Sequence, residues 1–183
     1  MDKEKNEPSI IEGMIGGAYK FSGTSALKVG ELKGINKSNE LTFSAWINFE
    51  ENSLIPAIIG IADNHSFGIT AEGLYVKVND EVKKYSFNIK HKKWTHIAFI
   101  IKEGKLIAYV NGIKLAVGDA FSMPAYDLYL GGNIQTNEYV KCSIDEVFIY
   151  NDYLKDHQIK KLHNKEKVLG KILFYCSCDI LPN

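Results

Sequence analysis

Apolar and polar residues alternate with a period of two over much of the chain, which is the pattern of β-strands that bury one face. Residues 41–47 show this alternation most clearly. One face of the segment carries Leu41, Phe43, Ala45 and Ile47, and the other carries Thr42, Ser44 and Trp46. Segments of the same kind predict further strands over residues 18–21, 58–62, 66–70, 73–78, 85–89, 94–101, 106–110, 128–130 and 144–150.

Turn-forming residues separate these predicted strands at short intervals. Asn111-Gly112 is the strongest hairpin signal, because a type I′ turn needs a positive φ at both central positions. Asn79-Asp80 and residues 102–105 predict two more turns. Many short strands joined in this way indicate an all-β sandwich or barrel.

One short helix is predicted near the C-terminus. Leu154, Ile159 and Leu162 follow helical spacing, and Asn151 or Asp152 is placed to cap the first turn. Because helices and strands do not alternate along the chain, a parallel α/β sheet is not expected.

Charge and composition exclude several functional classes. The 183 residues fit one domain, and the formal net charge is zero. The chain contains 22 lysine residues and no arginine. A neutral chain without arginine is a poor candidate for nucleic-acid binding. No apolar stretch is long enough for membrane insertion, and the charged first residues lack the apolar core of a secretory signal. These features favour a virion-associated or surface-assembly module over classical secretion.

The chain has three cysteines, Cys142, Cys176 and Cys178. An odd number without a secretion signal argues against a disulfide framework, so we expect reduced thiols. Cys142 is interpreted as a small structural thiol rather than a nucleophile.

Four segments carry a family resemblance: residues 17–23 (GAYKFSG), 41–47 (LTFSAWI), 94–98 (WTHIA) with 109–112 (YVNG), and 144–151 (IDEVFIYN). In this order they resemble the laminin-G-like domains of the concanavalin A-like lectin/glucanase superfamily. The resemblance covers residues 13–163 and implies an antiparallel two-sheet jelly-roll β-sandwich with one short C-terminal helix. It says little about the ligand, because function lies in sites grafted onto the fold.

Both ends of the chain depart from the family pattern. Residues 1–12 are predicted to be a polar arm without the opening strand that the family carries. The extension 164–183 instead contains a predicted strand over residues 170–178. We hypothesise that this strand completes the sandwich, either within the chain or by strand exchange in a homo-oligomer, since an unfilled slot would expose a sheet edge. Packing of the strand elsewhere is the alternative.

No catalytic motif is recognisable. Hydrolases of this architecture place carboxylates at alternating positions of one strand, whereas Asp145 and Glu146 are adjacent and should point to opposite faces. We therefore expect that the protein is not an enzyme, with a polysaccharide hydrolase as the weakest hypothesis.

The family resemblance also implies a structural calcium ion at the edge of the sandwich. Asp145 matches the family's Asp position and Gly23 lies in the matching turn, while Asp179 could join if the C-terminal strand fills the slot. The alternative is that Asp145 caps a local turn or pairs with a lysine.

Two loops carry the polar groups that a glycan site needs. The first is Asp63, Asn64 and His65, and the second contains Asn133, Gln135 and Tyr139. Each is also compatible with an ordinary turn. Trp46 and Trp94 are interpreted as packing residues, and His96 as a hydrogen-bonded structural histidine in a strand.

The leading functional hypothesis is a non-catalytic recognition or adhesion module that binds carbohydrate through the rim loops or the concave sheet. The alternative is a structural decoration or accessory subunit of a phage particle or another surface assembly, whose partner would be a protein scaffold.

Overall fold

The computed structural model describes residues 7–32, 40–120 and 125–177. These residues form two antiparallel β-sheets that pack face to face, as the sequence predicts. No helix in this part of the chain has the length and apolar character needed to cross a membrane.

The larger sheet has eight strands within the described residues. Seven follow one another in space as β1 (Ser9–Glu12), β2 (Gly17–Ser22), β15 (Lys141–Tyr150), β4 (Leu41–Phe49), β9 (Thr95–Lys102), β10 (Lys105–Val110) and β11 (Ile113–Asp119). The eighth, β16 (Ile172–Cys176), pairs with β15 alongside β2.

The smaller sheet has six strands in the same part of the chain. Their spatial order is β3 (Leu27–Leu32), β12 (Tyr126–Leu130), β5 (Ile58–Ala62), β6 (His65–Thr70), β7 (Gly73–Val78) and β8 (Glu81–Ser86). A two-stranded hairpin of β13 (Gly132–Asn133) and β14 (Glu138–Tyr139) follows β12.

The main core lies between the two sheets. Leu41, Phe43, Ala45 and Ile47 of β4 belong to it, which confirms the predicted inner face of this strand. Phe43 stacks on Phe99 of β9, with ring centroids 4.9 Å apart. This inner layer supports the fold while leaving the outer faces of both sheets for other contacts.

A second, smaller core covers the outer face of the larger sheet. Helix α1 (Asp156–His163) buries Ile159 and Leu162 against Ala98, Ile100 and Tyr150 of that sheet. The helix begins later than the sequence predicts, because Lys155 rather than Asn151 or Asp152 is the N-cap residue. The Lys155 backbone N–H donates to Oε1 of Gln158 at 2.9 Å and so closes the first turn.

One edge of β15 is shared by two strands from opposite ends of the chain. Residues 141–144 pair with β2, and residues 147–150 pair with β16. The C-terminal strand therefore lies in the larger sheet of its own chain. Residues 178–183, which include part of the predicted strand, lie outside the described residues.

A β-bulge interrupts β15 where these two pairings meet. Asp145 lies opposite Trp46 and Phe148 lies opposite Ser44, so three steps along β15 match two along β4. Glu146 absorbs the extra residue with a φ of 50°. Asp145 and Glu146 consequently both lie on the outer side of the sheet, and the prediction that they point to opposite faces is wrong.

The strands that the sequence reading missed or misplaced lie mostly at sheet edges. Residues 9–12 of the predicted arm form β1, and residues 27–32 form β3. The strand predicted at 85–89 is β8, which lies at 81–86. This edge strand is rich in Glu and Lys, which protect an unpaired edge but hide the apolar alternation.

The predicted hairpin at Asn111-Gly112 is confirmed. The two residues have φ values of 50° and 74°, and Val110 pairs with Ile113 across them. The turn after β9 has the same geometry, with φ values of 49° at Glu103 and 71° at Gly104.

Candidate functional site

Two hairpins that are distant in sequence meet at the rim of the smaller sheet. The turn between β5 and β6 contributes Asp63 and Asn64, and the β13–β14 hairpin contributes Gln135. With Glu31 and Asp127 they line an open depression of about 690 Å³, which we call the rim depression. Among the described residues that line it, none is aromatic.

The loop backbone presents these groups to solvent. Asp63 and Asn64 form a two-residue turn in which Asn64 has a φ of 54°, a conformation that Asn tolerates better than most residues. The side chain of Asn133 accepts a hydrogen bond from the Gln135 backbone N–H at 2.9 Å and shapes the second hairpin. The first turn is therefore defined by its backbone conformation and the second by a local hydrogen bond.

Only half of the sequence-predicted binding residues line the rim depression. His65 Nδ1 is 2.7 Å from the carbonyl oxygen of Asp63, and the Tyr139 hydroxyl donates to Oδ1 of Asn137 at 3.3 Å. His65, Asn133 and Tyr139 thus shape the loops, whereas Asp63, Asn64 and Gln135 face the depression.

Sequence reasoning missed Glu31 and Asp127. Asp127 lies on β12, where its Oδ2 forms an ion pair with Lys28 Nζ at 2.8 Å. The hydrogen bond from Lys28 and the charge of Asp127 raise the pKa of the Lys28 ammonium. No local signal marks these two acidic residues, because only the pairing of β3 with β12 brings them to the rim.

Two of the predicted calcium ligands, Gly23 and Asp145, do not lie close together. Ser22 pairs with Lys141, so Gly23 and Asp145 lie at least roughly 13 Å apart along the strands, at about 3.3 Å per residue. Calcium holds its oxygen ligands at about 2.3–2.6 Å and cannot bridge such a gap. Asp179 lies outside the described residues, within which no group of three or more acidic, His or Cys side chains is arranged to hold a metal.

Asp145 instead fastens the turn between β1 and β2. Its Oδ2 accepts a hydrogen bond from the Ile15 backbone N–H at 3.0 Å, and the side chain is only 1% exposed. Gly13 packs so closely that a Cβ there would lie 2.6 Å from the same oxygen. This placement matches the local-turn interpretation of Asp145 better than the metal interpretation.

A second concave site lies between the outer face of the larger sheet, α1 and β16. Its volume is about 440 Å³. We call it the helix cleft, and its lining residues include Trp46, His96, Glu146, Phe148, Leu162 and Tyr175.

Aromatic contacts order the walls of the helix cleft. Trp46 stacks on His163, with centroids 5.5 Å apart, and Tyr175 stacks on Phe148 at 4.4 Å. The Tyr175 hydroxyl donates to Oε1 of Glu146 at 2.9 Å. The prediction that Trp46 is a packing residue is confirmed by its exposure of 5%.

The pKa values of the two imidazoles in this region, His96 and His163, are both lowered. Burial, together with the neighbouring His163, lowers the pKa of His96 to about 3, and burial also lowers the pKa of His163. His96 Nε2 lies 2.8 Å from the Ser44 hydroxyl oxygen, which confirms the predicted hydrogen-bonded structural histidine. Nδ1 of each imidazole has no hydrogen-bond partner in the described part of the chain.

The Ser44–His96 pair is not arranged as an activated nucleophile. A histidine with a pKa near 3 is too weak a base at neutral pH, and in the described residues no carboxylate orients its Nδ1. Cys142 is fully buried, and burial raises the pKa of its thiol. Of the described cysteines, Cys142 and Cys176 are both free.

Comparison with known proteins agrees with the observed sandwich. The family model described as Laminin_G_3, concanavalin A-like lectin/glucanases superfamily, matches residues 21–160. A comparison with curated protein sequences finds no match.

Several solved structures share the fold. Domain 4 of AbnA, an extracellular GH43 arabinanase from Geobacillus stearothermophilus solved in complex with arabinotriose, is 25% identical with a TM-score of 0.75. That match covers 88% of this chain and 84% of the domain. A SAP-like pentraxin from Limulus polyphemus is 15% identical with a TM-score of 0.54, covering 86% of this chain and 80% of that one.

The binding domain of Botulinum neurotoxin DC, solved in complex with SialylT, is 18% identical with a TM-score of 0.64. The match covers 87% of this chain but only 45% of the toxin domain. At such identities, the pentraxin and toxin similarities show a shared fold alone.

Proposed function

This chain belongs to the concanavalin A-like lectin/glucanase superfamily, and from that membership we propose that it is a non-catalytic carbohydrate-binding module. The observation that carries the proposal is the convergence of Asp63, Asn64 and Gln135 in the rim depression. These residues come from two hairpins about 70 positions apart, and both loops were recognised from sequence as glycan-binding candidates.

The chemistry of the rim depression suits a neutral oligosaccharide. The amides of Asn64 and Gln135 both donate and accept hydrogen bonds, and the carboxylates of Glu31, Asp63 and Asp127 accept them. Sugar hydroxyls need this mixture of donors and acceptors. Since no aromatic side chain lies among the described lining residues, we expect hydrogen bonds rather than ring stacking to dominate recognition.

The similar structures support binding rather than catalysis. The 25%-identical relative is a domain of an arabinanase that was solved in complex with arabinotriose, which makes arabinotriose a reasonable first probe. The weak basicity of His96 and the burial of Cys142 also argue against a nucleophilic mechanism.

The first experiment is a glycan-array screen of the full chain, repeated with calcium and with a chelator, followed by calorimetric titration with arabinotriose. We expect binding to a related set of glycans that does not depend on calcium. Loss of binding with the chelator would instead support the predicted calcium ion. If the folded protein binds no glycan in either condition, the proposal that it is a carbohydrate-binding module is wrong.

Asn64→Gly tests the location of the site. Asn64 has a φ of 54°, so glycine removes the amide without straining the turn. We expect glycan affinity to fall about tenfold, the effect of one or two lost hydrogen bonds. Asn79→Gly is the matched control, because Asn79 is also exposed in a hairpin with a φ of 54° but does not line the rim depression.

An assembly subunit, such as a decoration or accessory protein of a phage particle, is the second candidate. The observation that favours it is the edge strand β11, on which Ile113 is 64% and Leu115 is 52% exposed. An apolar edge strand can add to a second sheet. Analytical ultracentrifugation of the wild type and of the double variant Ile113→Lys, Leu115→Lys tests this candidate. A wild type that is monomeric at all concentrations would argue against self-assembly.

A further inference from the structure

A third concave site lies between the first turn of α1 and the outer face of β9 and β10. We call it the lysine groove, and its volume is about 570 Å³. Ile100 and Ile107 of the sheet and Leu154, just before the helix, give it aliphatic walls, and Tyr109 and Tyr153 add two aromatic rings. Sites for small organic molecules have this size and are mostly apolar, with a few polar groups that fix orientation.

Positive charge predominates among the polar groups of the lysine groove. Lys102, Lys155 and Lys160 line it, and Asp156 is the one acidic residue among its described lining residues. The Asp156 carboxylate already accepts a hydrogen bond from the Tyr109 hydroxyl at 2.8 Å. Three ammonium groups therefore face one carboxylate, so the groove is complementary to an anion.

The three lysines differ in how far their charge is already compensated. Lys102 Nζ lies 3.8 Å from the centre of the Tyr153 ring and 3.6 Å from Oε1 of Glu103, which does not line the groove. A hydrogen bond with Tyr153 and the charge of Glu103 raise the pKa of Lys102. Lys155 and Lys160 are exposed and form no ion pair with any described residue. These two ammonium groups are therefore available to a ligand.

We propose that the lysine groove binds an organic carboxylate with a compact apolar body. The body packs against the aliphatic walls, and the carboxylate accepts charge-assisted hydrogen bonds from Lys155 and Lys160. An acidic sugar offers the same carboxylate, but its hydroxyl groups would lose hydrogen bonds to water against these walls. The groove shares no described lining residue with the rim depression or the helix cleft, so the proposal does not depend on carbohydrate binding.

Three probes test the ligand class on the wild-type chain. We expect phenylacetate to bind saturably in the millimolar range and to shift the amide resonances of Tyr153 and Lys160 in NMR spectra. Phenylacetamide has nearly the same shape without the charge and should bind about fivefold more weakly. Equal affinity for these two probes, or no saturable binding of phenylacetate, would overturn the proposal. Tighter binding of glucuronate than of phenylacetate would overturn the apolar body and identify an acidic sugar instead.

Two neighbouring lysines of α1 provide a matched pair of variants that tests the location. Lys160 and Lys161 are both exposed, but only Lys160 lines the groove. Lys160→Gln should weaken phenylacetate binding about threefold and leave phenylacetamide binding unchanged. Lys161→Gln removes the same charge outside the groove and should change binding less than about 1.5-fold. Equal loss in both variants would mean that overall charge attracts the probe, and no loss in Lys160→Gln would exclude this lysine, so either result would overturn the proposed site.

Discussion

The rim depression and the helix cleft differ in the chemistry that they offer to a ligand. The rim depression is open and polar, and its side chains project from hairpins. The helix cleft is narrower and aromatic, and its walls come from the sheet, α1 and β16. The rim is therefore suited to sugar hydroxyls, and the cleft to a compact molecule with an apolar body.

The two regions should also differ in their effect on stability. Residues of the rim, such as Asp63 and Asn64, are exposed and support little of the core. Three of the side chains that line the cleft, Tyr150, Leu162 and Val168, belong to the second core and are buried. Substitutions at the rim can therefore change binding without unfolding the protein, whereas many at the cleft will change both.

Deletion of residues 168–183 should have the largest effect. It removes β16 and the buried Val168, and it exposes the edge of β15 at residues 147–150. We expect the free energy of unfolding to fall by more than about 3 kcal/mol, with reduced solubility, as measured by urea denaturation. If the truncated chain unfolds like the full one, the hypothesis that this segment completes the sandwich is wrong.

Ile159→Ala should come next. Ile159 is fully buried between α1 and the larger sheet, so its truncation should cost about 2–4 kcal/mol and loosen the cleft. Glycan binding at the rim should survive wherever the protein is still folded. Lys160→Ala, which changes an exposed residue of the same helix, is the control and should unfold like the wild type. Loss of glycan binding in folded Ile159→Ala would show that the two regions are coupled.

Acid should weaken the region around the cleft through His96. Its folded-state pKa of about 3 lies below the ordinary histidine value of 6.5, so between these values the unfolded chain binds a proton that the folded chain does not. The contribution of His96 to the free energy of unfolding is therefore fully present above pH 6.5 and is lost as the pH falls towards 3. The free energy changes by at most about 1.4 kcal/mol per pH unit.

His96→Gln should reduce the dependence of the free energy of unfolding on pH. Denaturation curves measured between about pH 4 and 7 test this, because that range lies within the window defined by the lowered pKa of His96. An equal slope in wild type and His96→Gln would mean that His96 is not the source of the acid sensitivity.

Lys28→Ala should have the smallest effect on stability. Lys28 and Asp127 form an ion pair whose side chains are 50% and 36% exposed, so solvent screens their attraction. We expect an unchanged unfolding midpoint but an altered glycan affinity, because the Asp127 carboxylate in the rim depression loses its ammonium partner. Lys105→Ala, which breaks a similarly exposed pair with Asp119 away from both sites, should change neither quantity.

Local patterns account for what could be predicted about this chain. Side-chain alternation predicts the inner face of β4, turn chemistry predicts the Asn111-Gly112 hairpin, and short motifs indicate the family. Each of these signals extends over only a few residues. The rim loops were recognisable because their turns are built from polar residues that also face solvent. Edge strands such as β8 were misplaced because their charged residues mask the period.

The helix cleft could not be predicted from such local patterns. Trp46, Glu146 and Tyr175 are each ordinary in their local sequence, and their proximity depends on pairing between strands that are about 30 to 100 residues apart. The bulge at Glu146 is the clearest case, since regular alternation places this side chain on the opposite face from Asp145.

The sequence by itself determined the sandwich, its inner faces and the polar character of its loops, because these depend on period, composition and local turn geometry. Tertiary structure alone decided that Asp63 and Gln135 share one depression, that Gly23 and Asp145 lie far apart, and that Glu146 faces an aromatic cleft. The physical reason is that strand register and the bulge in β15 are set by packing across the whole sheet, and a shift of one residue reverses the direction of every side chain that follows.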